Sequence, residues 1–291
     1  MMPGASGSEP EHIVRSADPV RYFANQFVPA SHRSDVFILH AFDLEIRKIT
    51  HTVREPMAGE IRLQWWREVL QGSRDDEAAA SPLARALLQF IRRHSIGSQI
   101  WDSYLDGRIF DLYDDAVEDL AAFEAYAGQT EGTMLQLACL VLDRGQSSSA
   151  AQASGYLSCA AVLWNRALRP LLLAGQPPTE RLFSNIARYL PPQLRQDAGF
   201  ETNPYLGGKT PEPHHALSEI SAVMQTYLEK ARGVADAVPR TLHPAFLQMA
   251  PIKLDMSKVQ RHSAQDLPMR QTSTSRLIWQ LWRESRRWPC F

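Results

Sequence analysis

Apolar side chains recur along this chain every three or four residues, and no run of strict alternation bounded by turns is present. That period belongs to helices with one buried face. Asp18-Pro19 supplies a cap and a first-turn proline ahead of VRYFANQF. A long helix is predicted across VFILHAFDLEIRKITHTV, and Glu55-Pro56 opens the next, MAGEIRLQWWREVLQ, stopped by Gly72. GSRDDEAAAS reads as a polar loop. Ser81-Pro82 opens LARALLQFIRRHS, closed near Gly97, and Ser98 is the expected cap of QIWDSYLDGRIFDLYDD. Three more long helical patterns follow, DLAAFEAYAGQTEGTMLQLACLVLD, SAAQASGYLSCAAVLWNRALRPLLLAG and HHALSEISAVMQTYLEKARGVADAV. Pro170 is expected to kink or end the second of them. GFETNPYLGGKTPEP reads as a loop, and STSRLIWQLWRESRRW as the last helix. The pattern predicts an all-α fold: a disordered tail over residues 1–17, then one domain over 18–288 with about ten helices.

Composition narrows the function classes. The chain has 291 residues, 44% hydrophobic and 22% charged, with a net charge of −1, so nothing in the overall charge favours nucleic acid. Its three cysteines form no CxxC pair, which points to a reducing compartment, and Cys139 and Cys159 lie in apolar runs that suit the core. No segment approaches the roughly 18 consecutive apolar residues of a membrane span. MMPGASGSEPEH has neither the apolar stretch of a secretory signal nor the arginines of an intact transit peptide. A bacterial cytoplasm and a mitochondrial matrix both fit.

Motifs with their own chemistry are scarce. GxSxG, GxGxxG, HExxH and Walker patterns do not occur, and YLGGKT lacks the spacing of a phosphate loop. His40 and His51 lie too far apart along one helix to share a metal ion. No metal site is predicted. In Trp65-Trp66 one indole is expected in the core and the other at an edge or cleft, since adjacent helical residues point about 100° apart. Trp279 and Trp282, just before the terminal RESRRWPCF, are placed to pack on the body, and the tail with Trp288 is expected to be solvated or to touch an anionic membrane surface through arginine and tryptophan.

Against this background AFDLEIRKITH resembles the first motif helix of the squalene/phytoene synthase family, which in active members reads approximately AFxRxxDDxxD. The resemblance covers roughly Val20 to Trp282 and implies an isoprenoid-synthase-type helical bundle around a central cleft. In the active members the aspartates bind Mg²⁺, which holds a prenyl diphosphate; hard oxygen ligands suit that ion. With Ala41-Phe42 laid on the family's AF, the three aspartate positions fall on Arg47, Lys48 and His51. The second aspartate motif is expected before the YLP of Tyr189-Leu190-Pro191, yet between Asp143 and Asp197 the only acid is Glu180. YLDGRIFDL keeps the family's DG element with Asp106 and Asp111. REPMAGEIRLQWWREVL and LHPAFLQMAPIKLDMSKVQR resemble the branch of the family that serves assembly of respiratory complex I, the NADH:ubiquinone oxidoreductase.

The resemblance implies two alternatives. One is a non-catalytic descendant with no catalytic residues and no cofactor, assisting complex I assembly through its subunits or assembly intermediates. Its cleft would hold an anionic or isoprenoid-like ligand, with Arg47, Lys48, His51, Arg62, Trp65, Asp106 and Asp111 as candidate residues and Arg54 completing a cationic mouth. The other is a divergent prenyltransferase that keeps Mg²⁺ through Asp106, Asp111 and Glu45. On either alternative the protein is intracellular, and contact with an inner membrane would be peripheral.

Overall fold

The computed structural model describes residues 8–174, 178–200, 211–261 and 272–291. Among them every regular element is helical. The N-terminal half comprises α1 (Glu9–Ala17), α2 (Pro19–Asn25), α3 (Ala30–Thr52), α4 (Pro56–Leu70), α5 (Asp75–Ala80), α6 (Pro82–His94) and α7 (Ser98–Ile109). Next come α8 (Leu120–Ala127), α9 (Thr133–Leu142), α10 (Ala151–Leu163), α11 (Arg169–Leu173), α12 (Glu180–Ala187) and α13 (Pro192–Asp197). The chain closes with α14 (Pro213–Gly233), α15 (His243–Phe246), α16 (Ala250–Arg261) and α17 (Thr274–Glu284).

Local chemistry accounts for most of the boundaries. Asp18, Ser81 and Asp119 each accept a hydrogen bond from the backbone N–H three residues on, and Pro19 and Pro82 sit where a helix needs no donor. Gly72 ends α4 with φ +77°, a conformation that costs glycine little. Ser98 begins α7 as its first helical residue, with Gly97 in the cap position.

The sequence-based expectation departs from the structure in two further places. Residues 9–17 are helix α1 rather than tail: Pro10 and Val14 are buried, and the helix packs on α3. Residues 75–80 are the short helix α5, because Asp75, Asp76 and Glu77 favour a first turn and three alanines follow. Pro170, expected to kink or end its helix, does not end it but follows a local distortion. A π-turn over Trp164–Leu168 precedes it, widening the coil where the proline ring would meet the carbonyl four residues back, and α11 continues to Leu173. The loop expected over residues 201–210 lies outside the described residues.

Helix α3 is the axis of the bundle, buried almost all round from Asp35 to Asp43 and flanked by α1, α2, α4, α6, α7 and α9. On the other side α10 packs along α14, which meets α16. Cys139, Cys159 and Cys290 are all buried. A second π-turn, Gly128–Gly132, joins α8 to α9. Gly107 lets α7 approach it closely: a Cβ there would stand 3.0 Å from the Gln129 and Thr130 side chains. That approach brings charged side chains of α7 and the π-turn together in the core.

Candidate functional site

The core holds an ionic network built from side chains far apart in sequence. Asp43, fully buried on α3, is its centre. Its carboxylate accepts from Arg21 of α2, from Arg108 Nη2 of α7 at 2.7 Å and from the Tyr104 hydroxyl at 2.6 Å. Arg21 also donates to Glu131 Oε2 at 3.1 Å and, through Nε, to Gln248 Oε1 at 3.1 Å. Arg47, one turn beyond Asp43, lies 3.5 Å from that carboxylate and 3.7 Å from Glu131 Oε1.

A second centre is Asp111, which begins its approach in the 3-10 turn Phe110–Leu112 that follows α7. It accepts from Arg166 Nη2 at 2.7 Å and from the hydroxyls of Tyr126 and Tyr189, each at 2.8 Å. Arg108 Nη1, at 3.4 Å, links the two centres. Arg166 Nη1 donates to His51 Nε2 at 3.2 Å, which leaves His51 neutral as the acceptor. Each π-turn carries one network residue, Glu131 in Gly128–Gly132 and Arg166 in Trp164–Leu168.

The electrostatics follow from these distances. Burial alone would push the Asp43 carboxyl up, but Arg21, Arg108 and Arg47 override it and hold the group well below the usual carboxylate range. Asp111 is lowered against the same burial effect by Arg166 and Arg108, with help from both tyrosines. Burial and the Asp111 charge raise Tyr189 to about 12. Burial, then Arg166 and Arg47, bring His51 down to about 4. Four guanidiniums (Arg21, Arg47, Arg108, Arg166) face three carboxylates (Asp43, Asp111, Glu131), and Asp18 at the edge, 3.7 Å from Arg21, evens the balance. The network is therefore neutralised from within and exerts little pull on a divalent cation.

Beside Arg21, Arg47 and Glu131 lies a cavity of about 20 Å³, space for one or two water molecules. It shares Val20, Trp164 and Arg169 with a larger cavity of about 140 Å³ whose walls include Leu172, Leu254 and Leu277. Together they form a cleft with a charged inner end and a more apolar outer part.

Of the seven side chains singled out from the sequence, Arg47, His51 and Asp111 converge on the network and four do not. Lys48 is 69% exposed and lies 3.9 Å from Glu45. Asp106 is exposed and held by Arg67 at 2.6 Å. Trp65 is half-buried at an edge, donating to Glu77 at 2.7 Å, while Trp66 packs in the core on Phe42. Arg62 is exposed, as is Arg54, and neither lines the two cavities. Asp106, Asp111 and Glu45 each engage a different arginine or lysine. Among the described residues no three His, Cys, Asp or Glu side chains are grouped as a metal would require.

Sequence reasoning missed Arg21, Asp43, Arg108, Glu131, Arg166 and Gln248. Gln248 is the last residue of PAFLQ, and its bond to Arg21 gives that motif a structural meaning.

The fold and this core place the chain in a known class. It belongs to the squalene/phytoene synthase family, whose model matches residues 14–283. Over 268 residues it is 25% identical to the human NADH dehydrogenase (ubiquinone) complex I, assembly factor 6, covering 89% of this chain and 76% of that protein. The Dictyostelium discoideum homolog of that factor is 18% identical over 244 residues, 82% of this chain and 66% of that one. Two solved structures share the fold at 15% identity: a dehydrosqualene synthase in complex with ligand (TM-score 0.66; 94% of this chain, 93% of that one) and YisP from Bacillus subtilis subsp. subtilis strain 168 (TM-score 0.62; 94% of each). Among the described residues no helix is long and apolar enough to cross a membrane.

Proposed function

We propose that this protein is a non-catalytic member of its family that assists assembly of respiratory complex I, working in a bacterial cytoplasm or mitochondrial matrix and binding a complex I subunit or assembly intermediate. One observation carries the reading: the buried carboxylates of the network behind the cleft are already closed onto arginines. Ionising an allylic diphosphate calls for roughly 8–23 kcal/mol of transition-state stabilisation, which the family draws from Mg²⁺ on free carboxylates. Opening Asp43 to a metal would mean breaking its pairs with Arg21 and Arg108, at a cost of about 3–5 kcal/mol for a buried ion pair. Relatives that carry the complex I assembly factor name and align over most of the chain support the biological half of the proposal.

Deletion of the gene, followed by native-gel staining for NADH dehydrogenase activity, is expected to show loss of assembled complex I, restored by the wild-type chain. Unchanged complex levels in the deletion strain would overturn the assembly role. Incubation with farnesyl and geranylgeranyl diphosphates plus Mg²⁺ is expected to yield no thirty- or forty-carbon product, and such a product would restore the prenyltransferase alternative.

The cleft is a second place to look for a ligand. Arg47 and Arg169 both line its inner cavity, and Arg169 makes no salt bridge among the described residues. We expect inorganic diphosphate to bind without Mg²⁺ in the larger cavity, which Arg169 also lines, and Arg169→Gln to weaken that binding about tenfold, the loss of one charge-assisted hydrogen bond. Titration calorimetry with and without Mg²⁺ reads this directly. A strict Mg²⁺ requirement would contradict it.

A further inference from the structure

Helix α17 buries Leu277, Gln280, Leu281 and Glu284 against the body and turns an unusual face outward. Trp279 and Trp282 are 54% and 44% exposed and stand one turn apart, with Ile278 beside them at 40%. The five other tryptophans of the chain are buried or half-buried. Each exposed indole carries a guanidinium: Arg283 lies 5.0 Å from the Trp279 ring and Arg286 lies 3.9 Å from the Trp282 ring. Arg276 and Arg287 are exposed on the same helix and the turn after it. Between Thr272 and Phe291 the only acidic side chain is Glu284. It is 3% exposed and consumed by Arg283 at 2.6 Å and Lys253 at 3.9 Å. The outward surface of this segment therefore presents indoles and positive charge with no exposed carboxylate.

We propose that this face docks the protein on an anionic phospholipid surface. Charge complementarity is the first reason: Arg276, Arg286 and Arg287, in no salt bridge among the described residues, meet a layer of phosphates, and a guanidinium can grip a phosphate through two parallel hydrogen bonds. The second is the pairing of arginine with tryptophan. Indoles settle at the level of lipid headgroups, while arginines keep their charge among the phosphates and lay their stems along apolar surface. A protein partner would need the indole faces to pack against, but Arg283 and Arg286 already cover one face of each. A headgroup layer accepts the stacked pair as it stands. The contact is peripheral. Leu277 and Gln280, on the inner side of the same helix, also wall the larger cavity, so docking sets that cavity about one helix diameter, roughly 10–12 Å, from the headgroups.

The test is flotation of the full chain with vesicles of neutral phosphatidylcholine, alone or with about 30 mol % phosphatidylglycerol. Binding is expected on the anionic vesicles, at least about tenfold weaker on the neutral ones, and reduced in about 0.5 M salt as the charges are screened. Neutralising Arg286 and Arg287 together (R286Q/R287Q) is expected to weaken partitioning about thirtyfold, from about a fivefold loss per basic residue. W279A/W282A is expected to remove it. Both double variants alter exposed side chains and should melt close to the wild type, which circular dichroism checks. Absence of binding to anionic vesicles, equal binding to neutral ones, or wild-type binding by both variants overturns the proposal. A chain that ignores vesicles yet is retained by immobilised poly-glutamate also overturns it and assigns the face to an acidic polypeptide.

Discussion

Asparagine in place of Asp43 is expected to cost about 3–5 kcal/mol of stability, the usual penalty for removing one partner of a buried ion pair. The change is nearly isosteric, so packing around Phe42 and Trp101 is little disturbed and the loss is electrostatic. Arg21 and Arg108, buried on either side, lose the charge they share, and Arg47 loses one of its two partners. The asparagine oxygen can accept from one guanidinium, but its NH₂ group then faces the other, donor against donor. For a chain of this size the melting temperature should drop by on the order of 10 °C. Asp106→Asn is the control. That carboxylate is exposed, its pair with Arg67 is solvated, and its loss should cost less than about 1 kcal/mol. Urea unfolding of the two variants at neutral pH separates them. Equal, small losses would mean that the Asp43 network contributes no more than a surface pair, and the view of the inner cleft as a closed structural core would have to be abandoned.

The helices were legible because their ends are marked locally. Asp18-Pro19 and Ser81-Pro82 put an acceptor and a preset φ side by side, and Gly72 provides a left-handed stop. Helix α1 was not, because its burial depends on α3 folding beneath it; Pro10 and Val14 alone make a thin apolar stripe. The π-turns were invisible too, since GQTEG and WNRAL carry no composition that departs from an ordinary helix.

The site was legible only where it lies on the first motif helix or the DG element. Arg47 and Asp111 were found there, but the counter-charges Glu131 and Arg166 reach them from distant elements, the second from 55 residues away. A local pattern cannot report such partners. One mistake was avoidable. Asp106 and Asp111 are five residues apart, so at about 100° per residue their side chains diverge by about 140°. The spacing itself argued against a shared site, and the structure sends one carboxylate out to Arg67 and the other in to Arg108 and Arg166. The family's aspartate positions made the absence of carboxylates conspicuous at Arg47 and His51. Nothing comparable drew attention to Asp43, the carboxylate one turn earlier on the same helix that anchors the network.

Acidification is expected to destabilise the protein in two stages, and the first belongs to His40. Its ring is buried, Nδ1 faces the Asn25 amide at 3.1 Å, and Arg21 lies nearby. The amide NH₂ donates to Nδ1, so the imidazole is neutral with its proton on Nε2. Burial first, and Arg21 second, hold its pKa well below the ordinary 6.5 despite the opposing charge of Asp43. In the unfolded chain the same ring takes a proton near pH 6.5. Below that value the unfolded state binds more protons than the folded one, so the stability is fully present above pH 6.5 and is lost as the pH falls toward the folded value. The slope is about 1.4 kcal/mol per pH unit for one histidine, or about 2.7 kcal/mol across two units. His51 acts in the same direction until about pH 4, but by less, because its ring is open to water on one side. The second stage begins near pH 4, where Asp43 and Asp111, both lowered by their arginines, become proton acceptors in the unfolded chain while still ionised in the folded one. Urea unfolding from pH 7.5 down to pH 3 should resolve both limbs. His40→Gln keeps an acceptor near Asn25 without a titrating ring, so it should be less stable than wild type at neutral pH yet flatter by about one proton between pH 6.5 and 4.5. Parallel curves for the two proteins across that window would show that His40 is not the group being protonated, and the first limb would then have to come from histidines outside the core.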